Sequence, residues 1–142
     1  DLPVLKTFEQ GIVEAERPFD ETLKPGAISY YDIGAFIEAS DTEVAVVEID
    51  GAVVASGDAK RERNMDYRTN AEYAHIGFMF VAHEHRGKRL SALVLEHLLA
   101  WCRDNGIQEA HLEVYPDNEP AVRAYEKAGF KPHLVNMRLM LD

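Results

Sequence analysis

Hydrophobic residues in the first third of the chain recur at helical spacing. In the stretch LKTFEQGIVEAERPF they repeat along one helix face up to Pro18, which predicts a first helix with Gly11 as its weak point. The stretch YYDIGAFIEAS predicts a second, short helical turn. Helical segments therefore precede the strand-forming part of the sequence.

The middle of the chain changes to β-branched runs. In TEVAVVEIDGAVVASGDAKRE two such runs meet at Asp50-Gly51, a pair that favours the positive φ angles of a tight hairpin. The polar stretch KRERNMDYRTN predicts an exposed loop or the frayed ends of neighbouring strands. EYAHIGFMFV is apolar on both faces, which predicts a central strand.

Helices and strands alternate in the last third. From Leu90 onward apolar residues follow a helical period that closes at Asn105-Gly106, a pair that typically ends a helix. QEAHLEVY predicts a strand, EPAVRAYEKAG another helix, and HLVNMRLML a final strand. The order of elements predicts an α/β fold in which a mixed sheet carries helices on both sides.

The length and charge of the chain narrow its class. A chain of 142 residues, 46% of them hydrophobic, is long enough for one core and short for two, so we expect a single domain over residues 1–142. Its net charge of -10 comes almost entirely from the first 50 residues. This charge repels phosphate backbones, so nucleic acid is not an expected partner. It suits a cationic partner or serves solubility alone.

Cysteine and hydropathy patterns point to an intracellular setting. Cys102 is the only cysteine, which excludes an intramolecular disulfide and favours a cytoplasmic location, with the thiol buried and inert. No run reaches the roughly 18 apolar residues of a membrane span, so no membrane partner is expected. HEHRG departs from the zinc pattern H-E-x-x-H at Gly87, and no metal is expected.

One basic cluster stands out in this acidic chain. VAHEHRGKRLSALVLEHLL passes from a strand end through a short loop into a helix, where unpaired backbone N–H groups and the helix dipole attract anions. Gly87 allows backbone to approach a ligand closely, and Arg86, Lys88 and Arg89 add cationic donors. The loop therefore predicts a phosphate or pyrophosphate site, the alternative being ordinary surface charge.

The same stretch, followed by LEVYPDNEPAVRAYEKAGF, resembles the GCN5-related N-acetyltransferase (GNAT) family. That family carries Arg or Gln, two residues, Gly, one residue, then Gly or Ala. This register falls on Arg86, Arg89 and Ser91, so Arg89 replaces the first glycine and Ser91 the last small residue. The second stretch matches the family throughout, at Asn118, Ala121, Tyr125, Gly129 and Phe130. The resemblance covers about residues 44–141.

The resemblance implies a fold and a cosubstrate. The fold would be a mixed, mostly antiparallel twisted sheet flanked by helices, whose fourth and fifth strands splay apart to form an acyl-CoA cleft. Backbone groups at the end of the fourth strand would bind the pantetheine arm and polarise the acetyl carbonyl. The implied acetyl-CoA-binding residues are Met79, Phe80, Val81, Arg86, Gly87, Lys88, Arg89, Leu90, Ser91, Asn118 and Tyr125. Because Arg89 lacks the conformational freedom of glycine, the substitution is expected to affect how tightly CoA binds more than whether it binds.

Acetyl transfer needs a proton donor for the thiolate and a base for the amine. Tyr125 matches the family tyrosine that lies near the CoA sulfur, and a phenol is protonated at neutral pH; a packing role is the alternative. Asn118 is either a turn or cap residue or, as the resemblance implies, a contact to the pantetheine or the substrate. His75 occupies the place of the glutamate base found in several family members, and Glu72 is the second candidate.

The acceptor is expected from the N-terminal part. Its acids, Glu14, Glu16, Asp20, Glu21 and Glu38, suit a cationic amine such as a polyamine, an aminoglycoside-like compound or a peptide amine. We therefore predict an acetyl-CoA-dependent N-acetyltransferase, a homodimer by analogy with the family. The alternative is a non-catalytic acyl-CoA-binding module or sensor. A plain nucleotide-binding domain is disfavoured because no P-loop or dinucleotide fingerprint occurs.

Overall fold

The computed structural model of the protein describes residues 2–29 and 31–142. Its α-helices are α1 (Leu2–Glu16), α2 (Ile33–Glu38), α3 (Leu90–Asp104) and α4 (Glu119–Ala128), and its strands are β1 (Thr42–Ile49), β2 (Ala52–Arg63), β3 (Glu72–Val81) and β4 (Ala110–His111). The strands form one sheet in the order β1-β2-β3-β4. The first three are antiparallel, and β4 runs parallel to β3.

The predicted turn and the predicted helix ends are confirmed. Asp50 and Gly51 take φ angles of 52° and 82° and join β1 to β2, as the hairpin prediction required. Asn105 caps the carboxyl end of α3. Gly129 ends α4 with a φ of 108°, a left-handed conformation that glycine adopts at little steric cost.

Helices cover both faces of the sheet, as predicted. On one face, Val94, Leu95 and Leu98 of α3 pack against small residues of β2. On the other, α1 and α2 bury a second cluster made of Leu5, Phe8, Ile12, Ile33 and Phe78. Gly11 does not break α1, because the ring of Phe80 occupies the space of its missing side chain.

One strand prediction was confirmed only in part, and another was wrong. QEAHLEVY forms a strand only at Ala110 and His111, which pair with Ala74 and His75 of β3. HLVNMRLML lies in no strand, and the whole stretch 131–142 is exposed. A strand needs a partner as well as the right residues, and among the described residues no neighbouring backbone pairs with this stretch.

β3 and β4 correspond to the strands that the resemblance numbers fourth and fifth. They pair over only two residues each, and β3 continues to Val81 without β4 beside it. This separation is the splay that the resemblance implied. No helix in the described part of the chain has the length and apolar character needed to cross a bilayer.

A β-bulge interrupts β3 next to this gap. The pairing of β2 with β3 shifts between Ser56 and Asp58, so that Phe78 and Met79 face the single residue Gly57. Phe78 has a φ of 53°. Its carbonyl accepts a hydrogen bond from Ser56 Oγ at 3.0 Å, and its N–H donates to the Tyr31 hydroxyl at 3.3 Å. The side chains of Ser56 and Tyr31 therefore provide hydrogen-bond partners for the Phe78 backbone groups that the bulge leaves unpaired within the sheet.

Candidate functional site

The loop that follows β3 leads directly into α3. Gly87 takes a φ of 83°, and Arg89, the residue before the helix, takes φ 61° and ψ 27°. Arg89 thus adopts the left-handed conformation that glycine favours, at the position where the family has glycine. Leu90 is buried beneath the first turn of α3, and Ser91 is half-buried beside it. The backbone therefore keeps the course of a glycine-containing loop, with the first N–H groups of α3 at its end.

The three cations of the loop have different surroundings. Arg86 Nε donates a hydrogen bond to the Val81 carbonyl at 3.2 Å, and its guanidinium lies 5.9 Å from the Phe80 ring centre. Lys88 Nζ lies 3.2 Å from Nδ1 of His85. Arg89 is exposed, and its side chain does not cap α3. Arg86 therefore fastens the loop to the end of β3, while Lys88 and Arg89 stand at the surface.

The last residues of β3 connect the loop to both cores. Met79 packs against the α3 side, and Phe80 packs against Phe8 of α1 with ring centres 4.7 Å apart. Val81 packs on the α3 side and accepts the Arg86 hydrogen bond. These three residues lie where β3 continues without β4 beside it, and their contact with pantetheine stays a prediction.

Asn118 and Tyr125 lie on α4, which packs against α3. Asn118 occupies the N-cap position, but its side chain makes no capping hydrogen bond. Tyr125 is half-buried against the α3 core and contacts Phe130 edge to face. Burial, with a smaller effect of the Glu16 carboxylate, raises the pKa of the Tyr125 phenol. The phenol therefore stays protonated at neutral pH.

The two predicted bases lie at different distances from the loop. His75 Nε2 lies 2.5 Å from a carboxylate oxygen of Glu113, in the stretch beyond β4. Glu72 begins β3, where it accepts a hydrogen bond from Arg61 at 3.0 Å. At about 3.3 Å per residue, Glu72 is roughly 30 Å along the strand from Val81. Of the two, His75 lies nearer to the loop, about 20 Å along the strand from Val81, and its role as a base stays a prediction.

The predicted acids of the N-terminal part do not form one cluster. Glu14, Glu16, Asp20 and Glu21 lie at or beyond the end of α1, whereas Glu38 ends α2. Glu14 pairs with Arg17 at 2.8 Å.

Asp20 already has partners of its own. Hydrogen bonds from Thr22 and from Tyr115 hold its pKa well below the usual range of a carboxyl group. Burial, together with Asp20, raises the pKa of Tyr115 to about 12. Asp20 therefore anchors the corner after α1 and is less available to a ligand.

Sequence reasoning missed the residue with the most unusual surroundings. Asp58 lies in the middle of β2 with a relative exposure of 3%, and its Oδ2 has no hydrogen-bond partner among residues 2–29 and 31–142. Burial raises its pKa to about 6, against smaller opposing effects of His75, the Gly77 N–H and Lys60. A charged residue inside the apolar run VVASGDA was the signal available in the sequence.

A surface depression of about 520 Å³ lies elsewhere, between the start of α1 on one side and Ser29 and residues 31–34 on the other. None of the residues predicted to bind CoA lines it. We assign the functional site from the loop and the strand gap, where the chemistry is, and not from this depression.

Comparison with known proteins identifies the family. Residues 10–130 match the Acetyltransferase (GNAT) family. Streptothricin acetyltransferase from Streptomyces lavendulae is 30% identical over 118 residues, which is 83% of this chain and 60% of that protein. An uncharacterized N-acetyltransferase, YobR, from Bacillus subtilis (strain 168) is 38% identical over 60 residues, 42% of this chain and 24% of that protein. The chain thus spans less than two thirds of either relative.

Solved structures share the fold at low sequence identity. A mutant of the BH1408 protein from Bacillus halodurans superposes with a TM-score of 0.85 at 15% identity, covering 96% of this chain and 91% of that one. A predicted acetyltransferase with acetyl-CoA from Clostridium acetobutylicum superposes with a TM-score of 0.74 at 16% identity, covering 99% and 90%. With the family match over most of its length, the chain belongs to the GNAT family of acetyltransferases.

Proposed function

We propose that the protein is an acetyl-CoA-dependent N-acetyltransferase that acetylates a primary amine of a cationic small molecule or peptide. The observation that carries this proposal is the left-handed Arg89 at the start of α3, beside the gap between β3 and β4. It keeps the backbone course of a glycine loop although the glycine itself is absent. The Clostridium acetobutylicum structure, which contains acetyl-CoA, supports the choice of cosubstrate.

The donor set of the loop fits a pyrophosphate. Backbone N–H groups from Gly87 to Ser91 would bind its oxygens, and Lys88 and Arg89 would add charge from the surface. Arg86 would act mainly by holding the loop against Val81. The pantetheine arm would lie along Met79, Phe80 and Val81, with the uncommitted side chain of Asn118 opposite.

The proposed chemistry assigns separate roles to donor and acceptor of protons. Acetyl-CoA supplies the acyl group as a thioester. Tyr125, kept protonated by burial, would protonate the departing thiolate. His75 remains the candidate base predicted by position, whereas Glu72 lies too far along β3 and is paired with Arg61.

A cationic acceptor agrees with the charge of the chain and with one relative. The net charge of -10 is concentrated before β2, and Glu21 and Glu38 are exposed there. Streptothricin acetyltransferase is named for its substrate. Because the chain spans 60% of that protein, the acceptor is proposed here only as a class, a cationic amine.

A non-catalytic acyl-CoA-binding module is the second candidate. It is favoured by the arginine at the family's glycine position, because a side chain there leaves a ligand less room at the loop than glycine would. An amine panel assayed with wild type and Tyr125→Phe separates the two. An enzyme loses turnover on Tyr125→Phe by about 10²-fold or more, whereas a binding module shows none with either protein.

The cosubstrate is tested by thermal unfolding with acetyl-CoA. A ligand that binds only the native state at a hundredfold excess over its Kd stabilises it by about 2.7 kcal/mol. Gly87→Val should abolish this shift by obstructing the loop. Gly51→Val is the matched control, because Gly51 has nearly the same φ of 82° and equally open surroundings but lies in the distant hairpin. Loss of the shift in both variants, or in neither, contradicts the assignment.

We also propose that the protein forms a homodimer through its carboxyl-terminal stretch. Leu134, Val135, Met137, Leu139, Met140 and Leu141 are each at least 64% exposed, a density of apolar surface that monomers rarely leave to solvent. The segment is not loose, since Arg138 donates hydrogen bonds to Asp20 and Thr22. A second copy of the chain is the proposed cover.

A further inference from the structure

A phenylalanine in β3 holds a backbone conformation that bulky residues rarely adopt. Phe78 has a φ of 53°, in the left-handed region, although it lies inside a strand and is only 2% exposed. A strained residue of this kind keeps its conformation only where the surrounding structure enforces it, and such residues are frequent beside active sites. The side chains that hold Phe78 in place are therefore candidates for a functional role.

Two hydroxyl groups hold the backbone of Phe78. Ser56 Oγ donates to its carbonyl at 3.0 Å, and its N–H donates to the Tyr31 hydroxyl at 3.3 Å. Ser56 is completely buried in β2, and the Tyr31 ring contacts the Phe78 ring edge to face with centres 5.2 Å apart. Tyr31 is itself fixed, because its N–H donates to the buried carboxylate of Glu9 in α1 at 2.7 Å. Both polar backbone groups of Phe78 thus depend on side chains outside β3.

The bulge at Phe78 reverses which residues of β3 direct their backbone toward β4. Before the bulge, the Ala74 N–H donates to the Glu109 carbonyl at 2.9 Å, so even-numbered residues face β4. Beyond it, the Ala82 N–H donates to the Val54 carbonyl of β2 at 2.8 Å, so even-numbered residues face β2. Because backbone direction alternates along a strand, the odd-numbered residues at the end of β3 direct their N–H groups into the gap between β3 and β4.

Two other contacts agree with this reversal. Arg86 Nε donates to the Val81 carbonyl, as expected for a carbonyl that points away from β2. Ile76 belongs to the core on the α3 side, whereas beyond the bulge Met79 and Val81 pack on that side. The bulge therefore turns the N–H groups of Met79 and Val81 into the gap, and in a regular register the same groups would face β2.

An N–H group in this position suits the chemistry of the proposed reaction. As the nitrogen of the neutral amine bonds to the thioester carbon, an electron pair of the carbonyl moves to its oxygen, and it returns when the C–S bond breaks. The nitrogen gives its proton to the candidate base His75, and Tyr125 protonates the departing thiolate. A fixed N–H donor stabilises the negative oxygen, and this effect is sensitive to small displacements of the donor.

We propose that Ser56 and Tyr31 are positioning residues for acetyl transfer. Their hydroxyl groups hold Phe78 in the bulge, and the bulge keeps the Met79 N–H directed at the carbonyl oxygen of the acetyl group. Neither side chain touches the acetyl group, since each acts through the backbone of Phe78. The inference rests on the proposed N-acetyltransferase function and deepens it, because it names the residues that set the geometry of the acetyl site.

The first test needs neither acetyl-CoA nor an acceptor. The coupling between the amide and α protons of Phe78, measured by nuclear magnetic resonance, reports its φ angle. This coupling should have the intermediate value of a left-handed residue in wild type, and it should rise toward the larger value of an extended strand in Ser56→Ala and in Tyr31→Phe. Tyr31→Phe keeps the ring, so the packing against Phe78 is retained.

Thr42→Val is the matched control, because it also removes a buried hydroxyl, but from the start of β1. It should leave the coupling of Phe78 unchanged. A wild-type coupling in both Ser56→Ala and Tyr31→Phe overturns the proposal, and so does an equal change in Thr42→Val.

The second test follows the acetyl carbonyl. A hydrogen bond lowers the stretching frequency of a carbonyl, so infrared difference spectra of bound acetyl-CoA, labelled with carbon-13 at the thioester carbon, report the Met79 donor. The frequency should lie below that of free acetyl-CoA in wild type and in Thr42→Val, and nearer to the free value in Ser56→Ala and Tyr31→Phe. Bound acetyl-CoA with the same frequency in all four proteins contradicts the proposal.

Turnover provides the third comparison. Ser56→Ala and Tyr31→Phe should each lower kcat by about 10-fold to 10²-fold, because the donor is displaced, while Kd for acetyl-CoA stays within about threefold. Thr42→Val should keep the wild-type kcat. An unchanged kcat in both variants overturns the proposal. If wild type binds no acetyl-CoA or acetylates no amine, the proposed function fails, and the coupling of Phe78 still decides whether Ser56 and Tyr31 hold the bulge.

Discussion

At the scale of single residues, the burial of Asp58 lowers the free energy of unfolding. Its raised pKa means that the folded state holds the carboxylate less well than the unfolded chain, where a carboxyl titrates near 3.8. Below about pH 4, Asp58 therefore costs the folded state nothing through its ionisation. The free energy of unfolding falls as the pH rises from about 4 through about 6, because the buried carboxyl ionises less readily than the same group in the unfolded chain. This rise in the pKa of Asp58, from 3.8 to about 6, corresponds to about 3 kcal/mol in the free energy of unfolding.

Asp58→Asn should therefore be more stable than wild type at neutral pH. The difference in free energy of unfolding between the variant and wild type should grow in the variant's favour by about 2 to 3 kcal/mol from pH 4 to pH 8. Urea unfolding of both proteins across this range measures it. A difference that stays constant with pH would show that Asp58 is ionised at no cost in the fold.

At the scale of elements, local patterns predicted what local chemistry decides. The period of α3, the Asp50-Gly51 turn and the Gly129 stop were all predicted, because each depends on neighbours along the chain. The short β4 and the unpaired stretch 131–142 were not, because pairing depends on distant backbone.

The site residues divide in the same way, into those that local patterns predict and those whose place depends on pairing between strands. Loop and α4 residues follow motifs that the sequence displays, so their places on the loop and on α4 were predictable. The β-bulge at Phe78, and with it the place of Asp58 across from Gly77, arises only when β2 and β3 pair. The residue spacing within one strand does not predict which residues of two strands face each other. The acid inside the apolar run VVASGDA was the one feature of the sequence that marked Asp58.

The junction between the loop and α3 carries backbone strain at Arg89. Arg89 holds φ 61°, which costs a residue with a side chain about 1 kcal/mol relative to glycine. Arg89→Gly should therefore stabilise the protein by about 1 kcal/mol in urea unfolding. Arg89→Ala is the control, since it removes the same charge but keeps a Cβ. Equal stabilisation by both changes would assign the effect to charge instead of backbone strain.

At the scale of the whole molecule, acidic and apolar surfaces occupy different parts of the chain. The excess of negative charge lies in the first 50 residues, whereas half of the large exposed apolar side chains belong to the stretch 134–141. Charge of one sign keeps copies apart, so association of two copies is favoured where that charge is sparse and apolar surface is dense. The carboxyl-terminal stretch meets both conditions.

The oligomeric state follows from this distribution. Light scattering after gel filtration should give twice the mass of the chain for wild type and the single mass for the double variant Met137→Glu, Leu139→Glu. Each protomer of that variant would bury two carboxylates in the interface, which opposes association. Met65→Glu is the matched control, since Met65 is 65% exposed but lies in the loop between β2 and β3. It should remain dimeric. A monomeric wild type, or dissociation caused equally by Met65→Glu, would show that the carboxyl-terminal stretch does not join two copies.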